Sequence, residues 1–329
     1  MLSGFRRFTR THLLKHCLAG RFSEDLALCL SSSPRSGSTL LAQVLTAIPG
    51  TCILFEPEDF RYVPEAKAAH FSRRTYAHAE KNWPEGEAFL RRVFSGRVID
   101  KWTGGQMSIL DLLAKRMIVK FVRAHPLLPW ICRNFNIPAP IFLIRHPCAV
   151  VASQLNYGWT ESDRPDRPAY IEHHPLFKCA LAKMKSPEEH LAAGWALDQL
   201  PALMQPRPHP WFIVTYEELL LRPEPTLAKI AQKWNVEINM DRAMSRLQQP
   251  SSTVSKSGIR GIHGWKKDLT DRQVSQILGV TEKFGLGFYS GDDEANYAAL
   301  HSQQLAGDIH RAGTGSDHQS TTSLNVAAA

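Results

Sequence analysis

Between Leu26 and Leu45 the chain passes from an uninterrupted apolar run, Leu26-Ala27-Leu28-Cys29-Leu30, through a serine-, proline- and glycine-rich turn, Ser31–Ser38, into Thr39–Leu45, a stretch of helical pattern that stops before Pro49-Gly50. A short continuous apolar run suits a strand covered on both faces, as in a parallel sheet. Strand, tight turn and helix therefore open the fold. Such a turn has a chemical use. Successive backbone N–H groups at the start of a helix converge on one point, and the helix dipole adds positive potential there, so the turn suits an anion such as phosphate.

Thr51–Phe55, Met117–Val122, Ile141–Ile144 and Trp211–Thr215 are further strand candidates. Helical patterns occupy Ala88–Phe94, Cys148–Leu155, Pro187–Leu200, Glu224–Trp234 and Asp271–Phe284. Strands alternating with helices imply right-handed βαβ units. The expected fold class is α/β, a single domain with a central parallel sheet flanked by helices on both faces. Its expected bounds are 23–290. Residues 1–22 are read as a basic N-terminal segment, and 291–329, where apolar periodicity is lost, as a disordered low-complexity tail.

Charge narrows the partners. The chain carries +8 overall, but 291–329 holds five acids against one arginine, a net −4, which leaves +12 on the first 290 residues. A body this basic suits nucleic acid, a membrane surface or a phosphorylated small molecule. No RNP-like aromatic strand or zinc-finger spacing accompanies the charge, so no nucleic acid is expected. In the first 20 residues Arg6, Arg7, Arg10 and Lys15 alternate with apolar residues and no acid occurs. That pattern fits a helix packed on the domain, a membrane-surface helix or an organelle transit peptide. The six cysteines show no Cys-x-x-Cys spacing and no disulfide framework, which points to a reducing, cytoplasmic setting and away from a structural metal. No apolar run is long enough for a transmembrane segment.

The ATP-binding form of a phosphate loop needs G-x-x-x-x-G-K-[ST]. Here Gly37-Ser38-Thr39 fills the last three places, Ser38 stands where the lysine would be, and Ser32 where the first glycine would be. A cation sits earlier, at Arg35. The loop suits a phosphate without suiting ATP's triphosphate.

Pro34-Arg35-Ser36-Gly37-Ser38-Thr39-Leu40-Leu41 resembles the 5′-phosphosulfate loop of sulfotransferases that use 3′-phosphoadenylyl sulfate (PAPS), in the form found in bacterial and carbohydrate sulfotransferases. That family has a second motif after a later strand, an Arg and a Ser eight positions apart. Pro140–Gly158 carries Arg145 and Ser153. The resemblance implies that these two hold the 3′-phosphate. The spacing is physically sensible: Arg145 ends a strand, Pro147 suits the first turn of a helix, and Ser153 lies about two turns in. One phosphate can then bridge a guanidinium and a hydroxyl. Tyr216-Glu217-Glu218-Leu219 with Arg222-Pro223-Glu224 resembles a later strand-then-helix segment of the family. Lys256-Ser257-Gly258-Ile259-Arg260-Gly261 approximates its Arg-Lys-Gly-x-x-Gly loop, with Ser257 in place of the central lysine. The resemblance covers roughly 23–290.

It implies PAPS as co-substrate, with Arg35, Ser36, Gly37, Ser38 and Thr39 on the 5′-phosphate and sulfuryl group, and Arg145, Ser153, Lys256, Gly258 and Arg260 on the nucleotide's other end. Lys266 or Lys267 are alternatives for the charge missing at Ser257. The expected reaction is sulfuryl transfer to a hydroxyl or amine of a carbohydrate or small molecule, with no metal. The base is expected among Glu56, Glu58 and Asp59, with Glu56 first because it directly follows an apolar run and so emerges at a strand's carboxyl end. His173 and His174 are rivals. Lys120, inside an apolar strand, is either a lysine whose head reaches the strand end or a catalytic cation at the sulfuryl group or acceptor. Competing readings are a P-loop nucleotide or small-molecule kinase and a non-catalytic polyanion-binding protein.

Overall fold

The structure, a computed structural model, describes residues 2–72, 75–159, 175–250 and 261–302. Strands β1 (Ala27–Ser32), β2 (Thr51–Phe55), β3 (Arg116–Phe121), β4 (Ile141–Ile144) and β5 (Phe212–Thr215) form one five-stranded sheet in the order β2-β3-β1-β4-β5. Every neighbouring pair is parallel. Each apolar run expected to be a strand is one, within two residues at either end.

Helix α1 (Leu2–Leu18) precedes β1 and α2 (Ser38–Leu45) follows it. Between β2 and β3 lie α3 (Pro64–Ala68) and α4 (Pro84–Phe94), and α5 (Leu128–Asn134) precedes β4. Then come α6 (Pro147–Asn156), α7 (Pro175–Ala182) and α8 (Pro187–Leu203). After β5 follow α9 (Tyr216–Leu221), α10 (Pro223–Trp234), α11 (Met240–Leu247), α12 (Trp265–Asp268), α13 (Asp271–Lys283) and α14 (Tyr297–His301). Prolines at the first turn start α6, α8 and α10, where the missing N–H costs nothing. Capping boxes Ser186–Glu189, Thr215–Glu218 and Thr270–Gln273 start α8, α9 and α13.

Alternate strand residues point to opposite faces, and both faces are covered. Leu28, Leu30, Ile118 and Leu143 pack with Leu41 and Val44 of α2 and with Leu227 and Ile230 of α10. On the other face Cys29, Leu54 and Val119 pack with α1 and α4, while Phe142, Ile144 and Ile213 pack with Val150 of α6, Leu197 of α8 and Ile277 of α13.

Both expected domain bounds fall inside packed structure. Leu14, Leu18 and Phe22 are buried in the cluster beneath β1–β3, so α1 packs on the body as a helix, one of the readings open for the basic N-terminal segment. Residues 291–302, expected to be disordered, close over the end of the domain. Asn296 N donates to Phe288 O (2.7 Å), Asn296 caps α14, and Ala295 and Leu300 are buried. Two apolar contacts in a polar stretch are too few to show a period in the sequence. Residues 303–329 lie outside those described. Among the described residues no helix is long and apolar enough to cross a membrane.

Candidate active site

Helix α2 leaves β1 on one face of the sheet and α6 leaves β4 on the other, so a crevice opens between the carboxyl ends of these adjacent strands. Open α/β sheets bind ligands at such a switch point. The expected site residues come from the ends of four neighbouring strands. Glu56 follows β2, Lys120 lies at the end of β3, the Ser33–Gly37 turn follows β1 and Arg145 follows β4.

The turn after β1 is braced from several sides. Ser36 N donates to Ser33 O (3.3 Å), and the Ser33 and Ser36 hydroxyls meet at 2.8 Å. Gln199 Nε2 of α8 donates to Ser33 Oγ (3.3 Å). Arg35 and Gly37 both take positive φ, 71° and 88°. At Gly37 the reason is also steric, since a Cβ there would lie 2.4 Å from the Tyr216 ring. The amides of Ser38, Thr39 and Leu40 begin α2 and have no acceptor within the helix, so they remain available to an anion.

The two motifs meet. Arg35 Nε donates to Ser153 Oγ (3.0 Å), and Arg145 Nη1 donates to Arg35 O (3.1 Å). The Arg145 guanidinium lies 4.2 Å from the centroid of the Tyr216 ring, and that of Arg35 lies 5.0 Å from the Tyr157 centroid. Arg145 Nε is buried and has no hydrogen-bond partner among the described residues. Burial pulls the Arg35 guanidinium below its usual range. Tyr157 opposes that shift and neighbouring Arg145 adds to it. Two close guanidiniums, an unused buried N–H and a helix N-terminus together make a pocket that fits a polyanionic ligand.

On the other side of β1, Lys120 Nζ donates to Glu56 Oε1 (2.5 Å) and sits 4.2 Å from the Phe55 ring centroid. This answers why a lysine is tolerated inside an apolar strand, for its side chain is only 1% exposed and Glu56 neutralises it. Burial lowers the Lys120 pKa, and Glu56 opposes the shift. Glu56 itself has φ 43°, donates its N–H to Lys120 O (2.8 Å) and accepts at its carbonyl from Trp102 Nε1 (3.3 Å).

The other two carboxylates behave differently. Glu58 Oε1 accepts from Val122 N (2.6 Å) and Arg123 N (3.2 Å), while Oε2 is buried without a partner among the described residues. Burial, with Glu56 second, pushes its pKa up to about 7. Asp59 is gripped by Arg61 through Nε (2.8 Å) and Nη2 (2.6 Å), which outweighs burial and holds it below its usual range. Glu58 and Asp59 are both buried, whereas the Glu56 side chain, bonded to Lys120, keeps some solvent access.

Several further side chains contribute to the site. Tyr157 and Tyr216 flank the two arginines, and Trp195 Nε1 of α8 donates to Arg145 O (3.0 Å). His146, the residue after Arg145, caps α6. Its Nδ1 accepts from Cys148 N (3.1 Å), so Nε2 carries the proton and donates to Ser290 O (3.0 Å). Burial lowers its pKa to about 4 and keeps it neutral. Its N–H donates to Glu217 Oε1 (3.0 Å), a buried carboxyl that burial raises to about 7. The His-Pro pair at a strand-to-helix turn was the available signal. Lys256, Gly258 and Arg260, and the rival bases His173 and His174, lie outside the described residues. No group of three or more potential metal ligands occurs among those described.

No curated protein matches the chain. Among solved structures it is similar to the sulfotransferase domain of the Synechococcus PCC 7002 olefin synthase, with 18% identity over 82% of this chain and 97% of that one and a TM-score of 0.44. It is also similar to mouse sulfotransferase SULT7A1 complexed with PAP, with 17% identity, 85% and 90% coverage and a TM-score of 0.39. A third likeness is to retinol dehydratase in complex with retinol and PAP, with 14% identity, 82% and 84% coverage and a TM-score of 0.37. The sequence model described as the sulfotransferase family matches residues 29–240, a span holding both the loop after β1 and the Arg145–Ser153 helix start, and the chain thus belongs to the sulfotransferase family.

Proposed function

We propose that this chain transfers a sulfuryl group from PAPS to a hydroxyl or amine of a small-molecule or glycan acceptor, in the cytoplasm and without a metal. The observation that carries the reading is the convergence of Arg35, Ser153 and Arg145 on one crevice beside the N-terminus of α2. A 5′-phosphosulfate would lie on the loop amides and Arg35, and a 3′-phosphate against Arg145 and Ser153. Glu56 would take the acceptor's proton as the acceptor oxygen or nitrogen bonds to sulfur and the bond from sulfur to the 5′-phosphate oxygen breaks. Lys120 would hold Glu56 in place and offset negative charge building on the sulfuryl oxygens.

Two exposed aromatic groups offer a platform for the acceptor. Tyr62 stacks on Trp102, 4.0 Å between centroids at 21°, and Trp102 is bonded to the Glu56 carbonyl. Tyr157 lies beside Arg35 on the opposite flank. Sugar rings and flat aromatic acceptors both stack on such faces. All six cysteines are free thiols, in keeping with a reducing compartment. The test is transfer from labelled PAPS to a panel of glycans, phenols, lipids and amines. Product with any acceptor supports the reading. Turnover of ATP, dependent on Mg²⁺ and without transfer from PAPS, overturns it in favour of a kinase.

A further inference from the structure

The face of the molecule remote from the crevice carries an apolar ridge beside a basic helix, and we propose that it docks on an anionic lipid bilayer. The 3-10 helix Ile109–Leu113 exposes Leu110 and Leu113, each 73%, and Ile109, 49%. A 3-10 helix has three residues per turn, so positions i and i+3 eclipse and Leu110 and Leu113 form one ridge. The acid in this turn, Asp111, is drawn into the cap, its Oδ2 accepting from Ser108 N (2.6 Å). Helix α1 packs alongside, and Arg21, just beyond its end, donates Nη1 to Leu112 O. On α1, Leu14 and Leu18 are buried while Leu13 stays exposed.

Charge selects the occupant. Helix α1 carries Arg6, Arg7, Arg10 and Lys15 and no acid, and Lys15, Arg21 and Lys115 are exposed. Apolar side chains flanked by cations match an anionic interface, where leucines enter the acyl boundary and lysines and arginines meet headgroups. A second copy of the chain docking on the same face would set these cations against one another, which disfavours a symmetric dimer.

The placement leaves the chemistry free. Lys115 N and Arg116 N both donate to Gly50 O (2.7 and 3.1 Å), so the ridge lies at the amino ends of β2 and β3. Glu56 and Lys120 are at the carboxyl ends, a strand length or about 20 Å away. A docked molecule therefore turns its crevice toward water. The inference does not depend on the sulfuryl-transfer reading.

The test is co-sedimentation of the full chain with vesicles of phosphatidylcholine alone or mixed with phosphatidylserine, at low and high salt. Binding to the mixed vesicles is expected to exceed binding to phosphatidylcholine by about tenfold or more and to weaken with salt. The Leu110→Ser/Leu113→Ser double variant is expected to bind at least about tenfold more weakly with an unchanged melting temperature, because both side chains already face solvent. Lys15→Glu/Lys115→Glu is expected to remove the preference for phosphatidylserine. Absence of vesicle binding, equal binding to both lipids, or wild-type binding by both double variants overturns the proposal. So does a dimer in light scattering that the leucine variant dissolves while vesicle binding persists.

Discussion

Arg35 Nε donates to the hydroxyl of Ser153 across 3.0 Å, although 118 residues separate the two in the chain. The bond brings a loop cation and a helix hydroxyl together at the crevice between β1 and β4. Ser153→Ala is expected to weaken binding of adenosine 3′,5′-bisphosphate by about fivefold, the worth of an ordinary hydrogen bond. Arg145→Ala is expected to cost about 1.5–3 kcal/mol, as for a charged hydrogen bond, and to hurt the bisphosphate more than AMP. Calorimetric titration with both nucleotides checks this, and equal losses for the two would show that Arg145 does not read the 3′-phosphate.

Gly37→Ala addresses the loop itself. The left-handed backbone there costs an L-residue about 1–2 kcal/mol, and the new Cβ meets the Tyr216 ring on which Arg145 rests. Both bisphosphate binding and the melting temperature should fall. Gly37→Ala should cost less stability in a Tyr216→Ala background than in the wild type, because the ring it would strike is gone. An equal cost in both backgrounds would point to backbone strain alone.

Glu56→Gln keeps shape and a hydrogen-bond acceptor for Lys120 while removing the proton acceptor. Turnover is expected to fall by about 10²–10⁴ with nearly unchanged bisphosphate affinity. Glu58→Gln is expected to lower turnover much less, since its engaged oxygen faces backbone amides. Retained turnover in Glu56→Gln would move the base elsewhere.

Glu58 also makes a pH prediction. Its folded pKa of about 7 lies above an unfolded value of about 4.3. Between those values the folded state holds a proton that the unfolded chain has released. Its contribution is therefore most favourable below pH ~4.3, declines as pH rises, and levels off above about 7. Glu217 acts in the same direction and His146, lowered to about 4, in the opposite one. Variant and wild type must therefore be compared at each pH. Relative to wild type, Glu58→Gln should be more stable at pH ~8 than at pH ~5, by up to about 3 kcal/mol. Urea unfolding at the two values measures the difference.

Turnover is expected to survive EDTA, with Arg35 and the loop amides meeting the sulfuryl charge. Loss on chelation and return with Mg²⁺ would count against the proposed chemistry.

The sheet was legible because each strand is buried on both faces and so reads as a continuous apolar run. The phosphate loop was legible because its residue types are constrained by backbone geometry. Short helices such as α3 and α5 were not identified, since one or two turns display no period. The Lys120–Glu56 bond was hidden for another reason. The β2–β3 register sets Phe55 opposite Lys120, and only that pairing brings the next residue, Glu56, to the lysine. Sequence spacing carries no information about register between strands 60 residues apart.

Trp195 and Gln199 lie four residues apart, hence one above the other on the same side of the buried helix α8. One holds the carbonyl that ends β4, and the other holds the hydroxyl that begins the loop after β1. Both halves of the anion pocket thus hang from a single turn in a stretch of helix buried throughout, His190–Leu203. Local opening of the loop would require disturbing that turn. The amide proton of Ser36, bonded to Ser33 O, should then exchange with solvent only as slowly as those of the interior strands, in one cooperative unit with the body of the protein.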